Sequence, residues 1–436
     1  MSAERVNIVF GMKLRQARQA AGLSLVELAA AAGLSPSYLT EIEKGRKHPR
    51  AAKIMAIAQA LGVPYDALVS IRLAPSLAYL ENALDSPLLR EFPFAEFGLD
   101  PAQVIELLTQ APDQASALLH AILEIGQQYD LKEEHFLRAM LRSYQELHAN
   151  YFPEIEAAAE AFAQEHGLAA ERPLNLAQLR ALVRERFGYT LDDETLAAEP
   201  TLSGYRSVMA PGRRPRLYLN SRLLPRQLSF LLLREMGYQA LGLQERSYTS
   251  TPDRVDSFQQ VLNDFKASYF GGALLMPRPA LLPGIEGLFS QERWRPGLLP
   301  ALLAAFGVTP EMLLYRFSEL IPEFFGLQLH FLRLQAGRQG YQVVKRLNMN
   351  RLPIPAGLAA SEHFCRRWLS TRLLTAAGDQ ADWERPLVGV QFSRFVGDGP
   401  RFLCLGFARP LRLSPGVISS VVVGFREDRR LAEVVR

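Results

Sequence analysis

The chain has 436 residues, of which 48% are apolar and 22% are charged, a composition typical of a globular protein. This length exceeds what one ordinary core organises, so we expect two to four domains. No run of about 18 apolar residues is present, and the sequence begins with the charged segment MSAERVNIVF, so neither a membrane span nor a secretory signal is expected. The two cysteines, Cys365 and Cys404, exclude a disulfide framework and predict a reducing, cytoplasmic location.

The positive charge of the chain is concentrated at its N-terminal end. Residues 1–70 contain nine Lys or Arg and five Asp or Glu, a difference of four that equals the net charge of +4 for the whole sequence. The remaining residues are therefore balanced in charge. An excess of positive charge in one short segment is what a module that binds phosphate groups needs.

The first 170 residues are predicted to be mostly helical. Residues 9–70 have the pattern of several short helices, and the Pro- and Phe-rich segment from 73 to about 98 is predicted to be a linker. Residues 101–168 are strongly helical in pattern, with Asp100 and Pro101 in the positions preferred at the start of a helix.

The rest of the chain combines helices and strands. A helix near 175–187 precedes two extended segments, GYRSVMA and PRLYLN, which PGRRP joins as a hairpin. Pro-rich breaks are predicted at 277–283 and 293–300. Further helices are predicted over 224–242, 254–275, 309–320 and about 361–376. Three β-rich runs are predicted near the end of the sequence, namely PLVGVQFSRF, RFLCLGFARP and VISSVVVGF.

The segment LSLVELAAAAGLSPSYLTEIEKGRKHPR predicts two helices joined by a tight turn. Ser24 is placed to cap a helix from Leu25 to Ala31, and Glu27 has the spacing of a capping box. Gly33 falls in the turn, and Ser35-Pro36 has the pattern of an N-cap followed by proline at the first helical position.

The two helices share an apolar face, and the second helix also has a polar face. Leu28, Leu34, Leu39 and Ile42 have the spacing of an inward face. The outward candidates for contacts with base edges are Ser35, Ser37, Tyr38 and Thr40, while the cations placed to meet phosphate are Lys44, Arg46 and Lys47. Ser24, at the start of the first helix, is added to this predicted DNA-binding set.

This segment resembles the phage-repressor-like (XRE) helix-turn-helix family over about 60 residues, down to the IExG pattern that closes the second helix. The resemblance implies a five-helix, lambda-repressor-like domain that binds double-stranded operator DNA. A module of this size reads only a few base pairs, so two copies about 34 Å apart are needed, and a homodimer is predicted.

A second block, LYLNSRLLPRQLSFLLLREMGYQALGL followed by NDFKASYFGGALLMPR, is similar to the ImmA/IrrE type of metallopeptidase fold. In that fold the motif HExxH places two imidazoles on zinc and a glutamate on the attacking water. Here Arg234 and Tyr238 occupy the two histidine positions, Glu235 is retained, and Asp264 falls near the third ligand. A guanidinium stays protonated and a phenol is a poor ligand, so no metal and no catalytic residue is predicted.

Two interpretations of this degenerate site stay open. In one, Arg234 closes an internal ion pair with Asp264, and the former cleft is filled. In the other, Arg234 and Tyr238 line a pocket for an anionic effector. The nearest histidines on either side of the motif, His166 and His330, are too distant in the chain to restore it.

The C-terminal region offers a few further candidates. Two cysteines are fewer than the four that an Fe–S cluster usually needs, so Cys365 and Cys404 are interpreted as buried small side chains, with a redox pair, a metal site or a cluster shared across a dimer as alternatives. Four arginines could meet the phosphates of a coenzyme A or form a solvated basic face, namely Arg366, Arg367, Arg372 and Arg394.

The order of segments resembles one branch of XRE regulators, the short-chain fatty-acyl-CoA regulators, on the motifs SYQELHANYFPEIE, VTPEMLLYRFSEL, EHFCRRWLS and RFLCLGFARP. The resemblance implies a mainly α, multidomain protein that responds to an acyl-CoA-like metabolite. The predicted parts are a helix-turn-helix domain (1–72), a helical connector for dimerisation (73–170), an α+β peptidase-like domain (171–335) and a C-terminal α+β domain with a small antiparallel sheet (336–436).

The predicted function is therefore an effector-controlled, dimeric transcriptional regulator and not an enzyme. A different possibility is a DNA-binding adaptor or a stress- or phage-response regulator that a protein partner controls. An active zinc peptidase is the third possibility, and the missing histidines argue against it.

Overall fold

A computed structural model describes the chain over 3–70, 93, 96–99, 133–169, 171–250, 255–337, 340–352, 367–378, 385–394 and 399–435. The chain divides into two compact units, Met1–Leu137 and Arg138–Arg436. Most of the predicted linker at 73–98, the helix predicted to start at Asp100 and Pro101, and Cys365 with Arg366 lie outside the described residues.

The first unit opens with the predicted five helices. They are α1 (Ala3–Ala20), α2 (Leu25–Ala32), α3 (Pro36–Glu43), α4 (Ala51–Leu61) and α5 (Tyr65–Val69). The predicted caps are present, since Ser24 and Glu27 form a reciprocal capping box at α2 and the Ser35 side chain accepts a hydrogen bond from the Tyr38 backbone N–H. Gly33 ends α2 with a φ of 65°, a left-handed conformation that favours glycine.

A single apolar core holds these helices together. Leu28, Leu39 and Ile42 are fully buried in it, and Leu34 packs against it from a partly exposed position, as the predicted inward face requires. Helices α1 and α3 approach closely at Gly11, where an added Cβ would lie 2.5 Å from the Ile42 carbonyl oxygen. Glycine therefore allows the backbone of α1 to lie against the end of α3.

From residue 133 onward the chain forms helices around two sheets. The helices that precede and flank the first sheet are α6 (Glu133–Leu147), α7 (Pro153–Glu165), α8 (Leu176–Glu185), α9 (Thr195–Ala198), α10 (Pro225–Ala240) and α11 (Phe258–Leu275). The strands of that sheet are β1 (Thr190–Asp192), β2 (Ser207–Ala210), β3 (Arg216–Leu219) and β4 (Thr249–Ser250), in the order β1-β3-β2-β4. Strands β2 and β3 pair antiparallel across PGRRP, which confirms the predicted hairpin, while β1 and β3 are parallel.

Three helices and a five-stranded antiparallel sheet follow. The helices are α12 (Arg278–Phe289), α13 (Leu298–Phe306) and α14 (Pro310–Phe325). The strands are β5 (Leu329–Gly337), β6 (Gly340–Asn348), β7 (Leu387–Arg394), β8 (Arg401–Pro410) and β9 (Ile418–Arg426), in the order β6-β5-β9-β8-β7. Helix α15 (Leu369–Ala376) packs on one face of the sheet, and α16 (Arg429–Val434) is the last helix of the described chain.

Two sequence predictions for this region were wrong. The Pro-rich segments 277–283 and 293–300 were predicted to be breaks, but α12 covers most of the first and α13 begins within the second. Pro279 and Pro300 lie in first helical turns, where a backbone N–H has no partner in the helix, so only Pro283 removes a hydrogen bond.

The hairpin formed by β5 and β6 was missed. The β5 sequence carries His330 and Arg333 among its apolar residues and therefore has no simple alternation. The predicted domain limit at 335/336 falls inside β5, so a domain that keeps this sheet whole begins before Leu329.

Within the described ranges, no single helix is long and apolar enough to cross a membrane. Helices α13 and α14 reach the necessary length and hydropathy only when they are taken together, and they meet at a bend of 97°.

Candidate functional site

The start of α3 presents small hydroxyl side chains on the surface of the first unit. Ser35 and Ser37 are exposed, and their Oγ atoms lie 3.3 Å apart. The Ser35 Oγ also accepts the Tyr38 backbone N–H at 3.2 Å, and the Thr40 hydroxyl donates to the Pro36 carbonyl at 2.9 Å. The hydroxyls of Ser35 and Thr40 therefore already hold the helix, which leaves Ser37 as the least constrained of the predicted base contacts.

Ser24 has a structural role at the start of α2. Its Oγ accepts the Glu27 backbone N–H at 3.2 Å, and its own N–H donates to the Glu27 carboxylate at 2.7 Å. The backbone hydrogen bond from Ser24 lowers the pKa of Glu27. Nothing in this geometry prevents a contact between Ser24 and DNA, and that contact stays a prediction.

The predicted phosphate contacts lie directly after α3. Arg46 and Lys47 are exposed and Lys44 is half-buried, and Arg46 makes a 3.5 Å ion pair with Glu41. An exposed pair of this kind is weak and easily exchanged for a phosphate.

A lysine outside the predicted DNA-binding set lies against Tyr38, one of the predicted base contacts on α3. The ammonium of Lys53, on α4, lies 4.1 Å from the centroid of the Tyr38 ring, and that of Lys47 lies 6.0 Å away. The cation–π contact with Lys53 fixes the direction of the ring. Sequence reasoning missed this residue because the two helices are brought together only by packing.

A buried ion pair ties α1 to the end of α3. The Arg18 guanidinium makes a bidentate contact with Glu43 at 2.6 and 2.9 Å and also donates to the Leu23 carbonyl at 2.9 Å. The hydrogen bond with Glu43 raises the pKa of Arg18. Glu43 is the acidic residue of the IExG pattern, so that pattern was the signal that could have predicted its structural role.

In the second unit, the degenerate motif closes on itself. Arg234 donates to the Tyr238 hydroxyl at 2.6 Å, and Tyr238 donates to the Asp264 carboxylate at 2.5 Å. The Arg234 Nη2 lies 3.6 Å from the Asp264 Oδ1, so the predicted internal ion pair is present. Asp264 also accepts the backbone N–H and the hydroxyl of Ser247. Burial raises the pKa of Tyr238, and its position beside Asp264 raises it further, so the phenol stays protonated.

The retained glutamate has a partner that the sequence did not predict. Arg246 makes a bidentate contact with Glu235 at 2.5 and 2.7 Å, and Tyr189 donates to the same carboxylate at 2.9 Å. Burial raises the pKa of Tyr189 to about 12, with the charge of Glu235 adding to the effect. The Arg246 guanidinium also lies 3.7 Å from the centroid of the Tyr238 ring and so connects the two halves of the site.

Two glycines bring the helices of this site together. An added Cβ at Gly237 of α10 would lie 3.0 Å from the Ala267 carbonyl oxygen of α11, and one at Gly271 would lie 3.1 Å from the Arg234 backbone nitrogen. Close approach of α10 and α11 therefore places Tyr238 opposite Asp264.

These residues do not fit a zinc ion. Glu235 and Asp264 are the carboxylates of the motif, and each is already engaged by buried partners. The described residues contain no group of three or more His, Cys, Asp or Glu that could hold a metal. His166 lies elsewhere, against Phe162, and His330 is buried in β5.

The C-terminal candidates are dispersed. Cys404 is a buried free thiol whose pKa burial raises to about 11, which matches its interpretation as a small buried side chain. Gln391 accepts from Arg372 at 2.6 Å and donates to the Arg367 carbonyl at 2.8 Å, while Arg394 is exposed opposite Arg401. A coenzyme A role for these arginines stays a prediction.

Comparisons with known proteins agree with both recognisable segments. Residues 14–68 match the family model described as Helix-turn-helix, and residues 190–318 match the one described as IrrE N-terminal-like domain. Over 62 residues, or 14% of this chain, the sequence is 44% identical to Transcriptional regulator ClgR of Mycobacterium tuberculosis, and the match spans 55% of that protein. Over 60 residues it is 37% identical to the HTH-type transcriptional regulator y4dJ of Sinorhizobium fredii, of which it covers 78%.

A solved structure described as a Mycobacterium tuberculosis transcriptional regulator shares 20% identity and a TM-score of 0.48, over 65% of this chain and 80% of that one. A capped five-helix module with an IrrE-like domain after it defines a multidomain, mainly α protein with a helix-turn-helix. The chain belongs to the HTH-type transcriptional regulators of the XRE kind.

Proposed function

We propose that this chain is a dimeric, sequence-specific DNA-binding regulator whose binding to an operator is controlled by a metabolite. The exposed start of α3 carries the proposal, because Ser35 and Ser37 face solvent there and the exposed cations Arg46 and Lys47 lie within four residues of the end of the helix. Hydroxyls reach base edges in the major groove, while cations next to them meet phosphates.

Dimerisation follows from the size of the module. One helix-turn-helix reads a short half-site, and a useful affinity needs a second copy about 34 Å away on the same face of the DNA. We assign this contact to the connector at 73–170, which is apolar and strongly helical in pattern.

The test is a comparison of DNA sequences with the full-length protein. Fluorescence anisotropy with the upstream region of the protein's own gene should show at least tenfold tighter binding than a shuffled duplex, with a stoichiometry of two chains per site. The double variant Ser37→Ala/Thr40→Ala should lose most of this preference, whereas Ser203→Ala in the second unit should keep it. Equal binding to both duplexes by the wild-type protein would refute the proposal.

An open cavity in the second unit supports control by a small molecule. It has a volume of about 430 Å³ and lies among α7, the end of α8 and α10, with Phe162 and Phe187 as its aromatic lining. Arg186 and His166 are its basic groups, and the Glu165 carboxylate lies 3.6 Å from the first and 3.8 Å from the second. Two phenyl rings with a guanidinium beside them suit an acyl chain attached to an anionic carrier, which is the acyl-CoA-like effector that the family resemblance implies.

A chain of hydrogen bonds leads from this cavity to the degenerate motif. Gln239 lines the cavity and donates to the Tyr189 hydroxyl at 2.9 Å, and Tyr189 donates to Glu235. A ligand that displaces Gln239 would therefore change the surroundings of Glu235 and Arg246. An effect on DNA further requires that the ligand bind the two states of the dimer with different affinity.

Native mass spectrometry and thermal unfolding with acetyl-CoA and propionyl-CoA test the effector. We expect a stoichiometric adduct, a rise in melting temperature, and loss of both in Ala161→Trp, which fills the cavity. The matched control Ala198→Trp lies outside the cavity. Absence of an adduct at millimolar acyl-CoA contradicts metabolite control, and co-purification of a protein with the regulator would then favour control by a partner.

A further inference from the structure

Four arginines and one glutamate of the second unit form a group of interacting charges. Arg206 immediately precedes β2, and Arg234 is on α10. Arg333 and Arg409 are on β5 and β8, and Glu311 is in the first turn of α14. The charge of Arg206 interacts with each of the other four. This group is separate from the open cavity described above, none of whose lining residues belongs to it.

The second sheet holds two of these arginines on one face. Strands β5 and β8 flank β9, where Arg409 lies opposite Ser419 and Arg333 lies opposite Val421. Residues two apart on a strand share a face, so both guanidinium groups extend from the same side of the sheet. The Arg333 Nε donates to the Ser419 Oγ at 3.1 Å, which directs Arg333 towards Arg409.

Glu311 is already engaged by one of them. Its carboxylate accepts from Arg409 at 2.8 and 3.3 Å, and both side chains are mostly buried. Arg234 has its own carboxylate in Asp264. Among the described residues, neither Arg206 nor Arg333 forms a salt bridge with a carboxylate.

Two hydrogen bonds hold the backbone of Arg206 in place. Its backbone N–H donates to the Ser250 carbonyl at 2.9 Å, and its carbonyl accepts from the Asn220 N–H at 3.0 Å. Within the part of the chain that the structure describes, its guanidinium makes no hydrogen bond. Burial lowers the pKa of Arg206 to about 10, and the positive charge of Arg333 lowers it further while Glu311 opposes the shift.

Charges inside a protein are normally paired, so a group in which guanidinium groups outnumber carboxylates favours the binding of an anion. Arg206 and Arg333 are both partly exposed, which leaves the group accessible from solvent. The planar fork of an arginine matches two oxygens of a phosphoryl group. We propose that Arg206, Arg333 and Arg409 form a binding site for a phosphoryl group, and that the bound anion joins the IrrE-like region to the second sheet.

The experiment measures binding of inorganic phosphate to the full-length protein at constant ionic strength, by isothermal titration calorimetry and by thermal unfolding against chloride. We expect phosphate to raise the melting temperature of the wild-type protein and of Arg213→Gln, a variant in the exposed β2–β3 turn. Arg206→Gln should weaken phosphate binding at least tenfold. Arg206→Lys keeps the positive charge but loses the planar fork, so its affinity for phosphate should lie between those of the wild type and Arg206→Gln.

The same titration with adenosine diphosphate distinguishes a nucleotide ligand from free phosphate. Tighter binding of the nucleotide with the same dependence on Arg206 assigns the phosphoryl group to a nucleotide-like ligand, and weaker binding assigns it to the free anion. If Arg206→Gln does not fold, Arg333→Lys gives the same comparison with the charge retained.

Phosphate binding that is equal in the wild type, Arg206→Lys and Arg333→Lys would overturn the site, as would no binding at 10 mM, a concentration about tenfold above the usual upper range for a metabolite site. Operator binding in phosphate-free buffer is measured alongside. Its loss in the wild-type protein would count against the proposed function and not against this site.

Discussion

The helix-turn-helix and the degenerate metallopeptidase motif use similar polar side chains in opposite ways. On the first module, Ser35, Ser37, Arg46 and Lys47 face solvent. In the second, the functional groups of Arg234, Glu235, Tyr238 and Asp264 make hydrogen bonds or ion pairs with neighbours inside the protein. A surface that binds an external partner leaves its donors and cations exposed, whereas the carboxylates and the phenol of the degenerate motif are bonded to neighbours inside the protein.

The comparison also explains why the same residue types have different energetic roles. An exposed cation contributes to DNA affinity and little to folding, because water already solvates it. A buried ion pair contributes little to the free energy of folding, because its attraction is offset by desolvation. Removal of one partner is nevertheless strongly destabilising, since it leaves a desolvated charge without a partner. Substitutions in the two regions should therefore separate binding from stability.

The largest effect is expected for Arg246→Met, which leaves Glu235 buried without its bidentate partner. We expect a loss of about 3–5 kcal/mol in the free energy of unfolding, measured by urea denaturation. The double variant Arg246→Met/Glu235→Gln removes the stranded charge and keeps an acceptor for Tyr189, so it should cost less than the single change. A single variant within 1 kcal/mol of the wild type would contradict the structural role of this pair.

The Glu311–Arg409 pair should make stability depend on acid pH. Burial alone would raise the pKa of Glu311, but the charges of Arg409 and Arg333 lower it to about 2. A carboxylate with a lowered folded pKa adds stability above its unfolded pKa and loses it as the pH falls through the folded value. The difference between the wild type and Glu311→Gln should thus be about 3 kcal/mol above pH 5 and shrink towards pH 2.

Chemical denaturation at several pH values between 7 and 2.5 measures this difference. The exposed pair Arg401–Glu427 supplies the control, because Glu427→Gln should give a small difference at every pH. A pH-independent difference for Glu311→Gln would contradict the assignment.

Gly11→Ala tests the close approach of α1 and α3. Alanine normally favours a helix, but the added methyl would meet the Ile42 carbonyl, so we expect a loss of about 1–3 kcal/mol. Because α3 must move, operator affinity should fall as well. Gln19→Ala, on the exposed side of α1, should change neither quantity. A stabilised Gly11→Ala protein would show that the contact is relaxed in solution.

Lys47→Ala and Ser37→Ala should separate affinity from sequence discrimination. Lys47→Ala should weaken binding to operator and to shuffled DNA alike and reduce the slope of log K against log salt by about 1. Ser37→Ala should instead cost about 1 kcal/mol of discrimination with the salt slope unchanged. Titrations at four salt concentrations measure both, and identical behaviour of the two variants would remove the distinction between base and phosphate contacts.

The smallest effect is expected for Lys53→Met, which removes the cation over the Tyr38 ring. Removal of one positive charge near the DNA phosphates weakens binding by itself. We expect the free energy of operator binding to become less favourable by about a further 0.5–1 kcal/mol because the cation–π contact is also lost. In a Tyr38→Leu background this extra loss should disappear, since there is no ring to orient. Additive effects of the two substitutions would show that Lys53 acts only through its charge.

Local signals account for what could be predicted from the sequence. Ser24, Glu27, Gly33 and Ser35 define the ends of α2 and α3 within a few residues, and the charge excess of residues 1–70 lies on the same segment. The sequence alone also shows that Arg234 and Tyr238 stand where the motif has its two histidines. These inferences hold because capping, turn formation and metal-ligand chemistry depend on residues close in the chain or on side-chain type alone.

Tertiary structure decided the partners of the charged groups. Arg246, 11 positions from Glu235, and Lys53, on a different helix from Tyr38, carry no local signal of their contacts. Strand β5 was missed because it lies between β6 and β9 and carries Arg333, whose position is explained only by Ser419 far along the chain. The pairing of buried charges and the order of strands in a sheet both depend on which distant segments pack together. Local sequence therefore determined the modules of this protein, and tertiary packing determined the partners of the residues in their sites.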